Sequence, residues 1–252
     1  MTLVQATRRG STALITLADP KRRNILSPAL CHELSAAVAK ANADDRVKAI
    51  VITGAAPAFC AGADLDDLQA AAGGETDALH AVYQSFTDVA NSALPTIAAV
   101  NGVAVGAGMN LALACDLRLA SEDASFDTRF LKIGLHPGGG HGWMLLRAVG
   151  WAQATRLLLL GHSIRAAEAE AIGLVQRVEP TERLVEAALD WADRAKALPR
   201  ELIVATKASL RLAAASDHAT TFAHEADAQM HSLRQPPFIE LVGRLQGSIA
   251  AR

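Results

Sequence analysis

Short apolar segments alternate with helix-like segments in the first half of the chain, and this alternation constrains the fold most strongly. Strands are expected over 2–8, 12–17, 48–54, 96–102 and 116–121. Helices are expected after Ser27, which is followed by Pro28 at the first helical position, and over 76–92 and 106–114. Apolar strands that alternate with helices indicate a parallel sheet with helices packed over it.

Helical patterns dominate from residue 141 onward. They are expected over 141–149, 151–160, 166–171, 181–197, 200–214, 217–232 and 236–248, with prolines between several of them. We therefore predict an α/β protein with two regions. A core over 1–195 carries the site, and a helical region covers 196–252.

Composition narrows the class of protein. The chain has 252 residues, 51% of them hydrophobic, and a net charge of −2, which suits a globular protein with a large core and no basic surface for nucleic acid. No apolar run is long enough for a membrane span, and the first residues lack the order of a signal peptide. Cys31, Cys60 and Cys115 are widely spaced, so we expect free thiols and a cytoplasmic location.

Two of the expected strands end in glycine-containing loops that lead into helices. FCAGADLDDL occupies 59–68, and NGVAVGAGMNLALACD occupies 101–116. Ligands of α/β sheets bind at the carboxyl ends of strands, and helix N-termini offer free N–H groups. Two such loops, side by side, present two donors to one oxygen, as in an oxyanion hole. Taken alone, each loop is also explained as a tight turn that packs a helix on a strand.

Four segments, taken in order, resemble the enoyl-CoA hydratase/isomerase (crotonase) family. They are AFCAGADL, AAVNGVAVGAGMNLALACDLRLAS, FLKIGLHPGGG and GLVQRV, and the similarity runs from about residue 12 to about residue 180. The resemblance implies a crotonase-like ββα spiral with a helical C-terminal trimerisation region. It also implies an acyl-CoA thioester as substrate, no cofactor beyond the coenzyme A of that substrate, and a homotrimer or a dimer of trimers.

The resemblance assigns the oxyanion-hole donors to the backbone N–H groups of Ala63 and Ala107. The two glutamates of the family's hydratases correspond to Asn110 and Phe130, and neither takes up a proton at neutral pH. Asn110 can still orient a water or a carbonyl, whereas Phe130 shapes an apolar wall. Acyl-CoA binding is therefore better supported than hydratase turnover, and a non-catalytic acyl-CoA binder or carrier is the alternative.

Two further residues are candidates for proton transfer. His136, in HPGGGHG, is either an acid or base or a loop histidine bonded to backbone. Some family members carry a catalytic carboxylate at the position of Gly138. By the same resemblance, Tyr83, the only tyrosine, lies on a helix that lines the pocket, near the position where a dehalogenase-type member carries a histidine; the alternative is a core or wall tyrosine.

The resemblance also implies a set of substrate-binding residues. They are Arg22, Arg23, Ala61, Asp64, Leu65, Phe130, Leu135, Pro137 and Gly138. Arg22 and Arg23 either face a phosphate of coenzyme A or are solvated loop charges. Asp127 and Arg129 either pair or face solvent. His136 and His141 lack a carboxylate or cysteine at a spacing that would complete a metal site, so no metal is expected.

Overall fold

The computed structural model describes residues 2–250, apart from the side chains of residues 247, 248 and 250. Its strands are β1 (Val4–Arg9), β2 (Thr12–Leu17), β3 (Ala49–Gly54), β4 (Ala58–Cys60), β5 (Thr96–Val100), β6 (Val103–Val105), β7 (Leu117–Ser121), β8 (Ser125–Asp127), β9 (Ile164–Arg165) and β10 (Arg177–Glu179). Its α-helices are α1 (Pro28–Ala43), α2 (Leu65–Ala72), α3 (Asp77–Ala90), α4 (Ala107–Ala114), α5 (His141–Leu158), α6 (Ala166–Ala171), α7 (Leu184–Ala192), α8 (Arg200–Ala215), α9 (His218–Ser232) and α10 (Pro236–Ala250).

The strands form two sheets. The larger has the order β1-β2-β3-β5-β7-β10, in which β1 and β2 are antiparallel and every other pair is parallel. The smaller has the order β4-β6-β8-β9, with only the β8–β9 pair antiparallel. The expected α/β architecture with parallel pairing is confirmed.

The central strands of the larger sheet, β3, β5 and β7, are buried because helices cover them. All six residues of β3 are buried, as a continuous apolar run predicts for a strand covered on both faces. Alternate residues Ala49 and Val51 of β3 pack in one cluster with Ile97, Leu119 and the α7 residues Leu184 and Ala188. The two-residue period of a strand thus places one face of the sheet against α7.

Two expectations about elements are wrong in their extent, and one is confirmed. The segment 96–102 is not one strand: β5 ends at Val100, and the chain then turns into β6 of the smaller sheet. The helices expected over 141–149 and 151–160 are confirmed: within the span α5, Gly150 has non-helical angles (φ +72°, ψ 172°) and separates the two. The segment 181–197 begins and ends with single 3₁₀ turns, and only α7 is α-helical.

The chain divides into two compact units, Met1–Lys196 and Ala197–Arg252. The first contains both sheets and α1–α7. The second consists of α8, α9 and α10. Within the described residues, no helix combines the length and the hydropathy that crossing a membrane requires.

Candidate active site

The smaller sheet places the two glycine-containing loops side by side. Strands β4 and β6 pair in parallel, with Ala58 opposite Val103 and Cys60 opposite Ala104, so both loops leave the same edge. The backbones then touch: a Cβ added to Gly108 would lie 2.1 Å from the Cys60 carbonyl oxygen. Only glycine allows this approach, which sets α4 directly against the end of β4.

The backbone N–H groups of Ala63 and Ala107 are free donors in this arrangement. Ala107 is the first residue of α4, and its N–H has no acceptor within the helix. Gly106, with φ +51° and ψ −114°, turns the chain into that helix. In the part of the chain that the structure describes, neither N–H donates a hydrogen bond. A Cβ on Gly62, which precedes Ala63, would lie 3.8 Å from the Ala107 nitrogen, so the two loops are in contact.

Both donors border a cavity of about 360 Å³ between these loops, α2, α3 and the segment 129–138. The lining residues predicted from the sequence are Ala61, Ala63, Leu65, Ala107, Asn110, Phe130, Leu135, His136 and Gly138. Much of the apolar wall is formed by residues that the sequence analysis did not name individually: Leu68, Leu79, Val82 and Phe86, within the segment 66–90 expected to build the end of the pocket, and Ile133. The cavity thus combines an apolar body with a few polar groups, as small-molecule sites do.

Four of the predicted binding residues are not part of the cavity lining: Arg22, Arg23, Asp64 and Pro137. Arg22 pairs with Asp19 at 2.7 Å and with Asp64 at 3.5 Å, and the Arg23 carbonyl accepts from the Ala61 N–H at 3.0 Å. Asp64 caps α2 by accepting from the Asp66 N–H. Pro137 borders an adjoining groove, which shares Leu135 and His136 with the cavity. The basic run therefore adjoins the loop that carries Ala63 without entering the cavity.

Among the described residues that border the cavity, no side chain carries a carboxylate. The polar ones are Thr76, Tyr83, Asn110, Arg129 and His136. The Arg129 guanidinium binds the Asp127 carboxylate at 2.9 Å, so these two residues pair. Burial acts to raise the pKa of Asp127, but hydrogen bonds from Lys132 and the Arg129 N–H outweigh it and hold that pKa below its ordinary value.

Asn110 is held by protein groups on both sides of its amide. Its side chain is buried on α4, and Nδ2 donates to the Gly138 carbonyl at 2.9 Å. Its Oδ1 accepts from His141 Nδ1 at 2.5 Å. One amide N–H is left for a ligand. Asn110 is therefore mainly a strut between α4 and the start of α5.

His141 is a buried neutral histidine that the sequence analysis considered only for metal binding. An amide oxygen accepts only, so the His141 proton lies on Nδ1. The ring packs edge-on against Phe130, with centroids 4.9 Å apart. Its Nε2 is buried and has no hydrogen-bond partner among the described residues. Burial lowers the pKa of His141 to about 4, because the charged ring would lose its hydration.

We expect His141 to make folding stability depend on pH in the acidic range. In the unfolded chain the ring takes up a proton near pH 6.5, whereas the folded chain resists it down to about pH 4. Stability is therefore lost as the pH falls from about 6.5 toward 4, by at most about 3 kcal/mol. Urea unfolding of the wild type and of His141→Asn, which retains a donor for Asn110 but does not titrate, measures this difference. Equal pH dependence in the two proteins would contradict it.

His136 meets both interpretations that the sequence left open. Its Nδ1 lies 2.8 Å from the Pro137 carbonyl oxygen, which accepts only, so Nδ1 carries the proton and donates. The ring is exposed and also borders the cavity. Its Nε2 is consequently the nitrogen that can accept a proton or a hydrogen bond from a ligand.

Known proteins share this architecture. A sequence model of the enoyl-CoA hydratase/isomerase family matches residues 7–236. Probable enoyl-CoA hydratase EchA14 of Mycobacterium tuberculosis (strain H37Rv) is 46% identical over 233 residues, 90% of each chain. A probable enoyl-CoA hydratase of Rhizobium meliloti (strain 1021) is 42% identical over 190 residues, 74% of this chain and 72% of that protein.

Solved structures that resemble this chain are also described as enoyl-CoA hydratases. The crystal structure of an enoyl-CoA hydratase from Polaromonas sp. JS666 matches with a TM-score of 0.90 at 30% identity, over 97% of each chain. An enoyl-CoA hydratase subunit from Geobacillus kaustophilus HTA426 matches with a TM-score of 0.91 at 29% identity, over 98% of this chain and 95% of that one. Fold and site thus define a crotonase-fold protein with an apolar cavity. The chain belongs to the enoyl-CoA hydratase/isomerase family.

Proposed function

We propose that the protein binds an acyl-CoA thioester and stabilises the enolate of that thioester with the Ala63 and Ala107 N–H groups. The observation that carries this proposal is the pair of unpartnered N–H donors on touching loops at one apolar cavity. The thioester oxygen accepts from both donors, and its negative charge grows as the enolate forms. Each such donor stabilises a transition state by about 3–4 kcal/mol in enzymes where one has been removed.

The remaining cavity residues suit an apolar acyl group. Leu68, Leu79, Val82 and Phe86 lie on α2 and α3 and line the same cavity as the two donors. Burial of an acyl chain against these side chains contributes roughly 0.8 kcal/mol for each CH₂ removed from water. In this proposal Arg22 and Arg23, next to the Ala63 loop, face the phosphates of coenzyme A.

Proton transfer in this site does not use the two carboxylates that the resemblance assigns to hydratases. Asn110 and Phe130 stand at those positions, and the cavity lining described here contains no carboxylate. We propose His136 Nε2, the ring nitrogen left free by the bond to Pro137, as an acid or base. Water addition to an enoyl-CoA is then expected to be slow.

A non-catalytic acyl-CoA binder or carrier is the second candidate. Asn110 favours it, because His141 and Gly138 already engage both ends of its amide. The buried aromatic contact of Phe130 with His141 likewise has a packing role. Both candidates share the oxyanion hole and differ only in turnover.

By the same resemblance we propose a homotrimer or a dimer of trimers in the cytoplasm. The three cysteines are buried and unpaired, which suits a reducing compartment. Light scattering coupled to size-exclusion chromatography measures the assembly.

Calorimetry with butyryl-CoA and with free coenzyme A tests the proposed function. We expect butyryl-CoA to bind more tightly than coenzyme A, because only the thioester reaches the donors and the apolar wall. Crotonyl-CoA then separates the two candidates: measurable hydration or isomerisation supports an enzyme, and binding without turnover of any enoyl-CoA supports a carrier. Equal affinities for butyryl-CoA and coenzyme A would contradict the proposed site.

A further inference from the structure

The hydroxyl of Tyr83 lies beside Gly138 in the cavity wall. Tyr83 is on α3, and its Oη contacts Gly138: a Cβ added to Gly138 would lie 2.3 Å from that oxygen. The hydroxyl therefore occupies the space that a side chain at position 138 would fill. Position 138 also fixes Asn110, which donates to the Gly138 carbonyl at 2.9 Å.

The Tyr83 hydroxyl has no hydrogen-bond partner among the described residues, although its ring is partly buried. Tyr83 lines the cavity, so its hydroxyl is available to a group that enters there, whether water or a ligand.

The other polar side chains of the cavity are engaged or peripheral. Asn110 is held by His141 and Gly138, and the Arg129 guanidinium is held by Asp127. Thr76 is an exposed residue just before α3. His136 has one free nitrogen but lies on an exposed loop. On the helical wall of the cavity, Tyr83 is thus the residue that can transfer a proton and whose polar group no described protein group engages.

We propose that Tyr83 is a catalytic residue that transfers a proton to the α-carbon of the bound thioester enolate. The proposal rests on the proposed oxyanion hole at Ala63 and Ala107. The Oη–H bond breaks, a C–H bond forms at the α-carbon, and the enolate electron pair restores the thioester C=O. The negative charge passes to the phenolate oxygen, which then takes a proton from water and leaves hydroxide that carries the charge to the solvent. The step is the same however the enolate was formed.

The reverse step gives a test that does not depend on the natural reaction. In the reverse step, Tyr83 gives its hydroxyl proton to solvent hydroxide, and the phenolate takes the α-proton of a bound saturated acyl-CoA. The hydroxyl then exchanges its proton with D₂O and returns a deuteron, so the α-hydrogens exchange with solvent. NMR of butyryl-CoA in D₂O measures this exchange for the wild type and for Tyr83→Phe. Calorimetry measures butyryl-CoA affinity for both proteins. Thr87→Val is the matched control, because it removes a hydroxyl of α3 that bonds only the Tyr83 carbonyl and lies outside the cavity.

We expect Tyr83→Phe to lower the exchange rate about 10²-fold or more, with affinity within a few-fold of wild type and Thr87→Val unchanged. A merely structural tyrosine would change affinity or Tm and leave the exchange of bound ligand intact. Exchange at the wild-type rate in Tyr83→Phe overturns the proposal. Binding of butyryl-CoA to the wild type without any exchange also overturns it, but that result leaves the proposed acyl-CoA binding site intact. A wild type that does not bind butyryl-CoA overturns the proposed function, and the role of Tyr83 with it.

Discussion

Ala107→Pro is expected to reduce turnover or α-hydrogen exchange of an acyl-CoA about 10²- to 10³-fold, with little change in Tm. Proline lacks the N–H that the oxyanion hole needs, and its ring carbon takes the place of that hydrogen. The fold tolerates it because Ala107 is the first residue of α4, where the helix does not use the N–H and proline is favoured. The rate of turnover or α-hydrogen exchange is measured together with Tm on the same preparation. A lower rate at an unchanged Tm identifies loss of the donor, whereas a lower Tm identifies loss of stability.

Ala107→Gly is the matched control for the proline variant. Glycine retains the backbone N–H at the same position, so we expect activity within a few-fold of the wild type. A proline variant as active as the glycine variant would show that the Ala107 N–H does not act on substrate. A glycine variant as inactive as the proline variant would show that the methyl group matters instead of the donor.

Gly108→Ala is expected to destabilise the fold by about 1–3 kcal/mol or more. In an ordinary helix this change stabilises by roughly 0.5–1 kcal/mol, because alanine loses less backbone entropy on folding. Here the new Cβ would lie 2.1 Å from the Cys60 carbonyl oxygen and 2.7 Å from the carbonyl carbon. Backbone atoms cannot rotate away as a side chain can, so α4 must move off β4 and carry Ala107 with it.

Urea unfolding of Gly108→Ala and Gly142→Ala checks the close contact. Gly142 lies in α5, and a Cβ added there meets no described atom within 4 Å. We expect a small gain or no change in the free energy of unfolding for Gly142→Ala, against the loss for Gly108→Ala. Similar values for both variants would contradict direct packing of α4 on the β4 backbone.

Local patterns predicted much of the fold. Continuous apolar runs such as β3 and β5 indicated buried parallel strands, and Ser27 with Pro28 located the start of α1, where the Ser27 side chain accepts from the Leu30 N–H. Strand β4 has three residues, too few for a period to be visible in the sequence. Its position depends on Asn24, a buried side chain whose Nδ2 donates to the Ala55 and Ala58 carbonyls at 2.8 Å. Such a contact spans more than thirty residues and leaves no local pattern.

The candidate site also has parts that the sequence predicts and parts that it does not. The resemblance to the family assigned Ala63, Ala107, Asn110 and Phe130, because it rests on short segments of sequence; Ala63 and Ala107 lie where a loop leads directly into a helix. The partners of Asn110 lie 28 and 31 residues away, and their spacing reflects how α5 packs on α4. The contact of Tyr83 with Gly138 likewise joins α3 to a loop far along the chain. Only the three-dimensional structure could show that Asn110 is held and that the Tyr83 hydroxyl is free.

The infrared spectrum of bound butyryl-CoA, labelled with ¹³C at the thioester carbonyl, tests the central claim most directly. Two N–H donors polarise the C=O bond, so we expect its stretching band to move to lower wavenumber in the wild type and in Ala107→Gly than in solution. In Ala107→Pro the band should return most of the way to its solution position while the ligand stays bound. A band at the solution wavenumber in the wild type–ligand complex would contradict an oxyanion hole formed by Ala63 and Ala107.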